Sequence, residues 1–314
     1  MGERFPTFLQ SLGKLDYHIG MITTDISSAF TSTPAGIKNP PAPKNGNGKF
    51  QDGNLLEFAS GVKFLTKTTS DKENLFTKTV KRDETLACEN SGYKDDSCPS
   101  GDERGIFAAN LALDRAGSDA PGFLRPTAHL AIIILADEDE RGMSDSRSAK
   151  NSNDQALISM YPLEEMDKPA TLVSRFRQRF PDKTLSVHSI IIRPGDTACL
   201  NAQTAQEING VVNPFIRGTE GYSYAALSEL TGGKIGTICD SDYGAQLADI
   251  GSYLQYQAVS FPLACRPIND EFKVTDDLGN DVNATADFSK MEVVVDDHLP
   301  ELTKVTLEYT CSTE

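Results

Sequence analysis

Four consecutive acidic residues at 137–140, Asp-Glu-Asp-Glu, are the densest group of chemically capable side chains in the sequence. They follow a nearly continuous apolar run at 128–136, which is typical of a strand in the middle of a parallel sheet. A second apolar segment, 17–25, ends in Thr24 and Asp25. Ligands of open α/β sheets bind at the carboxyl ends of the strands, so both segments predict oxygen-rich side chains at one rim. Such oxygens suit Mg²⁺ or Ca²⁺.

The same four carboxylates are open to two other interpretations. They could form a solvated acidic loop, or they could supply a general acid and base, as paired carboxylates do in glycosidases. Four in a row at one loop need not face a single cleft, and the chain has no tryptophan to form a sugar platform. The sequence also lacks Gly-x-Ser-x-Gly, GxxxxGK[ST] and GxGxxG. We therefore predict no catalytic residue and a protein that is not an enzyme.

The overall charge narrows the classes of partner. The chain has 314 residues, with 45 acidic against 30 basic side chains and a formal net charge of -15. A phosphate backbone or an anionic membrane surface would be repelled, so we predict no nucleic-acid partner. No stretch reaches the ~18 apolar residues that a spanning helix needs, so we predict no transmembrane segment.

The elements that must position these side chains alternate between strand and helix from 17 to 257. Amphipathic patterns predict helices that include 103–116, 169–180, 222–230 and 243–256. The alternation predicts an α/β domain over 1–258, with a mostly parallel sheet in a three-layer arrangement. Beyond it, short strands between polar turns predict a small β-sandwich-like appendage over 259–314.

Six widely spaced cysteines, none in a CxxC pair, predict three disulfides and an oxidising compartment; unpaired buried thiols are the alternative. The pairing follows from position along the chain. One pair flanks a polar loop, one brackets the predicted helix and strand at 222–238, and one lies near the first and last strands of the appendage. The predicted disulfides are Cys88–Cys98, Cys199–Cys239 and Cys265–Cys311.

Several of these segments together resemble bacterial cell-envelope proteins with a von Willebrand factor A-like domain. The most specific are Asp-Tyr-His-Ile-Gly…Thr-Thr-Asp at 16–25 and Phe-Leu-Arg-Pro-x-Ala-His-Leu-Ala-Ile-Ile-Ile-Leu-x-Asp-Glu-Asp at 123–139. The resemblance covers about residues 1–258 and implies a Rossmann-like fold. It also implies a metal-ion-dependent adhesion site at the carboxyl-end rim, where a bound metal holds an acidic group of the partner and no bond is broken.

The adhesion motif of this family is incomplete here. It requires Asp-x-Ser-x-Ser at the end of the first, central strand, and no such motif precedes residue 17. We therefore expect the chain to begin after that strand, whose absence would leave two inner sheet edges unpaired. Either the sheet closes around the gap, or another segment fills it, or the chain is a fragment, which is the interpretation that we favour. The loop before the helix at 103 offers Ser100, Asp102 and Glu103 where a threonine is expected. With Mg²⁺ or Ca²⁺ as the candidate cofactor, the metal ligands carried over are Asp137, Glu138, Asp25, Thr24 and Ser100.

These observations predict an extracytoplasmic binding or adhesion protein, located in the periplasm, on the outer membrane surface or secreted. It would recognise a protein or glycan partner at the rim, through a divalent cation where one is bound. A structural cell-envelope component with a degenerate metal site is the alternative, and a hydrolase is the weaker one.

Overall fold

The structure is a computed structural model, and it describes residues 2–13, 15–27, 47, 51–82, 103–115, 117–126, 128–142, 163–204, 207–208, 211–212, 218–295 and 303–312. Ser100 and the predicted Cys88–Cys98 pair lie outside the described residues. The chain divides into two compact units. One consists of Met1–Phe5 and Tyr17–Gln246, and the other of Pro6–Asp16 and Leu247–Glu314.

The described residues contain α-helices and β-strands of both long and very short extent. The helices are α1 (Phe5–Ser11), α2 (Lys72–Val80), α3 (Gly105–Arg115), α4 (Pro169–Arg179), α5 (Thr197–Thr204), α6 (Tyr222–Thr231) and α7 (Tyr243–Val259). The strands are β1 (His18–Ile19), β2 (Leu65–Thr66), β3 (Leu130–Leu135), β4 (Leu185–Ile191), β5 (Glu207–Ile208), β6 (Val211–Val212), β7 (Ile235–Thr237), β8 (Ser260–Pro262), β9 (Pro267–Asp276), β10 (Ala284–Asp287), β11 (Glu292–Val295) and β12 (Val305–Cys311).

A three-stranded parallel sheet in the order β3-β4-β7 lies at the centre of the first unit. Ile132 stands opposite Val187 in the first pair of strands, and Ile190 stands opposite Gly236 in the second. The prediction of an α/β chain with a parallel sheet is therefore confirmed, together with several antiparallel sheets elsewhere. Parallel strands need crossover connections, and α4 and α6 follow β3 and β4 along the chain in that role.

Three helices, α3, α4 and α6, pack with this sheet around one apolar core. Its fully buried members include Ile106 of α3, Leu172 of α4, Val187 of β4 and Leu227 of α6. The helical repeat of apolar residues places these side chains on one stripe of each helix. Burying one such side chain contributes about 1.5–3 kcal/mol to folding. This core fixes the carboxyl end of β3 relative to the amino ends of α3 and α6.

The segment 17–25, which the sequence predicts as a strand, does not form one continuous strand in the structure. Only β1 is a strand, and it pairs antiparallel with β2. The backbone beyond it bonds to other segments: the Leu56 N–H donates to the Met21 carbonyl at 2.8 Å, and the Arg104 N–H donates to the Thr24 carbonyl at 3.2 Å. Because residues 51–66 and Arg104 supply these partners, the segment is anchored to a loop region and to the residue that precedes α3.

The second unit contains the predicted β appendage, joined by most of α7 and by residues 6–16. Two antiparallel sheets, β10-β11-β8 and β12-β9, enclose a small core around Val274 and Val293. The predicted disulfide Cys265–Cys311 is present, with a Cα–Cα distance of 5.8 Å. It joins the ends of the β9–β12 ribbon, which closes a core whose size is close to the lower limit for independent folding.

One edge of the parallel sheet is left open within the described part of the chain. The Leu130 N–H donates to Thr184 and the Ala136 N–H donates to Ile190, so alternate amides of β3 face β4. The amides of Ala131 and Ile133 face the opposite side, where no described strand pairs with β3.

Hydrogen exchange tests this assignment. We expect the amides of Ile132 and Ile134 to exchange roughly tenfold or more slowly than those of Ala131 and Ile133, because only the former bond to β4. Residue-resolved NMR exchange measures the difference, with the paired amides of β4 as an internal reference. Equal protection of all four amides would show that another segment pairs with β3.

Candidate functional site

The four acidic residues after β3 divide into two exposed or half-buried side chains and two buried ones. Asp137 is exposed and Glu138 is half-buried. Asp139 and Glu140 are each 0% exposed. The interpretation of this segment as a solvated loop is therefore wrong for its second half, whose carboxylates are enclosed in the fold and need bonding partners there.

Asp139 holds the amino end of α6. Its carboxylate accepts hydrogen bonds from the Ser223 N–H at 2.9 Å and from the Ser223 hydroxyl at 3.1 Å. The Asp139 N–H in turn donates to the Thr219 hydroxyl at 2.7 Å. Burial raises the pKa of Asp139 to about 7, against the lowering effect of the Ser223 hydrogen bonds. A carboxylate here satisfies a backbone N–H that has no partner inside the helix.

Glu140 does the same for α3. Its two carboxylate oxygens accept the N–H groups of Ile106 at 2.7 Å and Phe107 at 3.0 Å. Burial raises the pKa of Glu140 well above its ordinary value, and the negative charge of Asp167 raises it further. The partial positive charge at a helix amino terminus favours the bound carboxylate. The Tyr224 hydroxyl lies nearby and accepts the Gly105 N–H at 3.3 Å.

A network of buried ion pairs stabilises the loop that contains Asp139 and Glu140. Arg104 donates to Asp167 through Nε and Nη2, each at 2.8 Å, and both side chains are at most 1% exposed. Arg141 lies 4.0 Å from Asp167 and 3.5 Å from Glu164. The Arg141 backbone has a φ of 60°, unusual for a non-glycine residue, and its N–H donates to the Glu103 carbonyl at 2.6 Å. Such a backbone persists where its surroundings determine it.

We predict that Asp167→Asn lowers the free energy of unfolding by about 3 kcal/mol or more, because it leaves Arg104 buried without its bidentate partner. Chemical denaturation followed by circular dichroism measures the loss. Asp114→Asn is the matched control, since Asp114 bonds Arg175 in an exposed pair and should cost about 1 kcal/mol or less. Similar losses in both variants would contradict the assignment.

Three carboxylates from separate segments lie at this rim, which we call the acidic rim: Asp137 is exposed, Glu103 is half-buried and Asp25 is buried. Burial first, and then the negative charges of Asp137 and Asp25, together raise the pKa of Glu103 to about 7. Asp25 is buried, and one of its oxygens lies 4.0 Å from Arg82. The fold therefore holds Asp137 and Asp25 close enough to Glu103 to oppose its ionisation.

Four of the predicted metal ligands are among the described residues: Asp25, Thr24, Asp137 and Glu138. They lie in the two loops that the sequence assigns to the rim, and the charges of Asp25 and Asp137 both raise the pKa of Glu103. Thr24 contributes its backbone carbonyl to Arg104. Within the described residues, no group of three or more His, Cys, Asp or Glu side chains is arranged to hold a metal ion.

Glu103 is the residue that the predicted ligand set left out. The sequence placed it in the loop before α3 beside Ser100 and Asp102, at the position where the resemblance implies a threonine, and Ser100 was the ligand carried over. The fold brings Glu103, two residues before the start of α3, beside Asp25 and Asp137, whereas Ser100 and Asp102 lie outside the described residues. The sequence signal that could have identified Glu103 is its position close to the start of a predicted helix.

The predicted disulfide Cys199–Cys239 lies at the same end of the parallel sheet as the acidic rim. Cys199 of α5 and Cys239, two residues after β7, are bonded with a Cα–Cα distance of 5.5 Å. Cys199 is buried and Cys239 is exposed. The bond fixes α5 beside the carboxyl end of β7. Together with Cys265–Cys311 it fits an oxidising, extracytoplasmic environment.

Comparison with known proteins returns no relative. No protein-family model matches the chain. No curated protein and no solved structure matches it either. Among the helices of the described residues, none is both long enough and apolar enough to cross a bilayer. The site must therefore be interpreted from its own chemistry.

The pH dependence of stability tests the acidic rim. A carboxyl whose folded pKa is raised from 4.5 to about 7 stabilises the fold below pH 4.5, and this contribution is lost as pH rises through about 7. Glu103→Gln should therefore stabilise the protein above pH 7, on the order of 2 kcal/mol, and flatten the loss of stability across that window.

Thermal or denaturant unfolding at several pH values measures this effect. Glu229→Gln, at an exposed position on α6, is the control and should leave the profile unchanged. Asp139, whose pKa is also raised to about 7, leaves part of the slope in every variant. An unchanged profile in Glu103→Gln would show that neither burial nor the neighbouring charges raise the pKa of Glu103.

Proposed function

We propose that this chain is an extracytoplasmic binding protein that recognises a protein or glycan partner at the acidic rim, on a von Willebrand factor A-like, Rossmann-like domain of the cell envelope. The observation that carries the proposal is the meeting of three acidic segments: the Arg104 N–H donates to Thr24, the Arg141 N–H donates to Glu103, and the charges of Asp137 and Asp25 help to raise the pKa of Glu103. Like charges that oppose one another are relieved when a ligand brings positive charge to them. No nucleophile is required for this role.

The positive charge can come from the partner or from a divalent cation. The described residues do not form a three-ligand cage, and Asp25 is turned toward Arg82. High affinity for Mg²⁺ or Ca²⁺ depends on ligand number and rigidity, so two or three loosely grouped carboxylates favour weak binding at most. The proposal therefore assigns recognition to Asp137 and Glu103 themselves and makes the cation a variable of the experiment.

A structural envelope component is the second candidate. It is favoured by the use of Asp139 and Glu140 as helix caps, since half of the acidic segment serves the fold and contacts no solvent. In that role the acidic rim would have no ligand, and only the disulfide-linked framework would matter. The two candidates predict opposite results in a binding measurement.

Calorimetric titration of the full chain separates them. The probes are CaCl₂, MgCl₂ and a pentalysine peptide, each at low ionic strength because exposed charges are screened by salt. We expect millimolar or tighter binding of at least one probe, roughly tenfold weaker in Asp137→Ala, and stronger at pH 8 than at pH 6 because Glu103 must lose its proton. Glu229→Gln should bind like the wild type.

Each result has one meaning. Heat with CaCl₂ or MgCl₂ that disappears in Asp137→Ala supports recognition through a cation. Heat with pentalysine alone supports direct recognition of a basic partner. No heat with any probe would reject recognition through a cation or a basic partner at the acidic rim and favour the structural component.

A further inference from the structure

A small cavity lies at the other end of the parallel sheet from the acidic rim. It has a volume of about 210 Å³, and its apolar walls come from two loops that precede the strands β3 and β4. Leu124 and Pro126 form one side, while Phe180 and Pro181 form the other. Leu124 and Pro126 belong to the Phe-Leu-Arg-Pro segment at 123–126, which the proposed function does not use.

Two cationic side chains, Arg179 and Lys183, also line the cavity. Both approach the ring of Phe180: the Lys183 Nζ lies 5.2 Å and the Arg179 Cζ 5.7 Å from the ring centroid. The Lys183 ammonium donates to the Arg125 carbonyl and has no carboxylate partner among the described residues. Burial, and then the positive charge of Arg125, lower the pKa of Lys183.

Among the described residues around the cavity, positive side chains outnumber negative ones, in contrast to the chain as a whole: Arg125, Arg175, Arg179 and Lys183 against Asp114 and Asp182. Asp114 is shared by two arginines: it lies 2.7 Å from Arg175 and 3.4 Å from Arg179. One carboxylate therefore compensates two guanidinium groups, while Arg125 and Lys183 oppose one another nearby. A mutually repelling pair of cations beside a cavity is stabilised by an anion that enters it.

The walls and charges together restrict the class of anion. A fully hydrated phosphate has no apolar part to place against Leu124 and Pro126, and Asp182, which also lines the cavity, would repel a dianion more than a monoanion. A carboxylate on a short apolar body satisfies both conditions. Its oxygens can accept from Arg179 and Lys183, and its body can replace water against the proline and leucine side chains.

We propose that the cavity between Leu124, Pro126, Phe180, Pro181, Arg179 and Lys183 binds a carboxylate carried on a short apolar body, either a small free acid or the carboxyl-terminal residue of a peptide. This site is separate from the acidic rim and does not depend on the function proposed there. It would give the chain a second ligand, of opposite charge, at the amino ends of β3 and β4.

NMR titration of the full chain tests this inference. The probes are benzoate for a free acid, acetyl-Ala-Ala-Leu for a peptide terminus, and inorganic phosphate. We expect chemical-shift changes at 124–126 and 179–183 with benzoate or the peptide, and at least tenfold weaker binding for the peptide amide, which lacks the charge. Tighter binding of the peptide would identify a chain terminus as the ligand, and tighter binding of benzoate a free acid.

Variants show whether the cations are responsible. Lys183→Gln should weaken binding about tenfold, because it removes a charge-assisted hydrogen bond. Lys183→Arg should retain most of the affinity. Lys72→Gln is the matched control. The Lys72 ammonium also donates to a backbone carbonyl, that of Lys67, but Lys72 does not line this cavity.

Three results would overturn the inference. One is the absence of shifts at these residues at tens of millimolar probe, a range in which a single charged contact is detectable. Another is equal binding of the peptide and its amide. The third is phosphate binding as tightly as benzoate, which would reduce the site to nonspecific attraction of anions. Asp137→Ala should leave every result unchanged, so failure here is distinguishable from failure at the acidic rim.

Discussion

The buried carboxylates of Asp139 and Glu140 hold together the part of the molecule where the candidate site lies. Each accepts backbone N–H groups at the first turn of a helix, Glu140 at α3 and Asp139 at α6. A helix amino terminus has N–H groups without intrahelical partners, and a buried one needs an acceptor from elsewhere in the chain. The loop after β3 supplies both acceptors. Two helices are thereby positioned by two adjacent side chains.

This arrangement has a consequence for the residues beside it. The loop is fixed at Asp139 and Glu140, and the backbone carbonyl of the preceding Asp137 accepts the Thr219 N–H at 2.8 Å, so the backbone of Asp137 is held at the rim. The Arg104–Asp167 pair fixes the start of α3 from the other side. The repulsion between rim carboxylates is thus sustained by a rigid buried network, which is how a fold stores an unfavourable electrostatic arrangement that a ligand can relieve.

The first unit is electrically asymmetric along its parallel strands. Negative side chains gather where β3 ends, and an excess of positive side chains gathers where β3 and β4 begin, around Lys183. Parallel strands all point the same way, so loops before them and loops after them lie at opposite ends of the sheet. A protein with a net charge of -15 can therefore still present a local cationic cavity.

The sequence by itself determined the elements whose signal is local: the apolar run that becomes β3, the helices α4, α6 and α7 with their apolar stripes, and the cysteine pairs Cys199–Cys239 and Cys265–Cys311. It also placed Asp25 and Asp137 at strand or segment ends. Tertiary structure alone decided which carboxylates are exposed. Asp137 and Glu138 have the same side-chain types as Asp139 and Glu140, and only the fold places two helix termini where Asp139 and Glu140 can bind them. It also decided that Glu103 joins the rim and that 17–25 bonds to 51–66, since such contacts connect residues far apart in the chain and leave no periodic pattern in it.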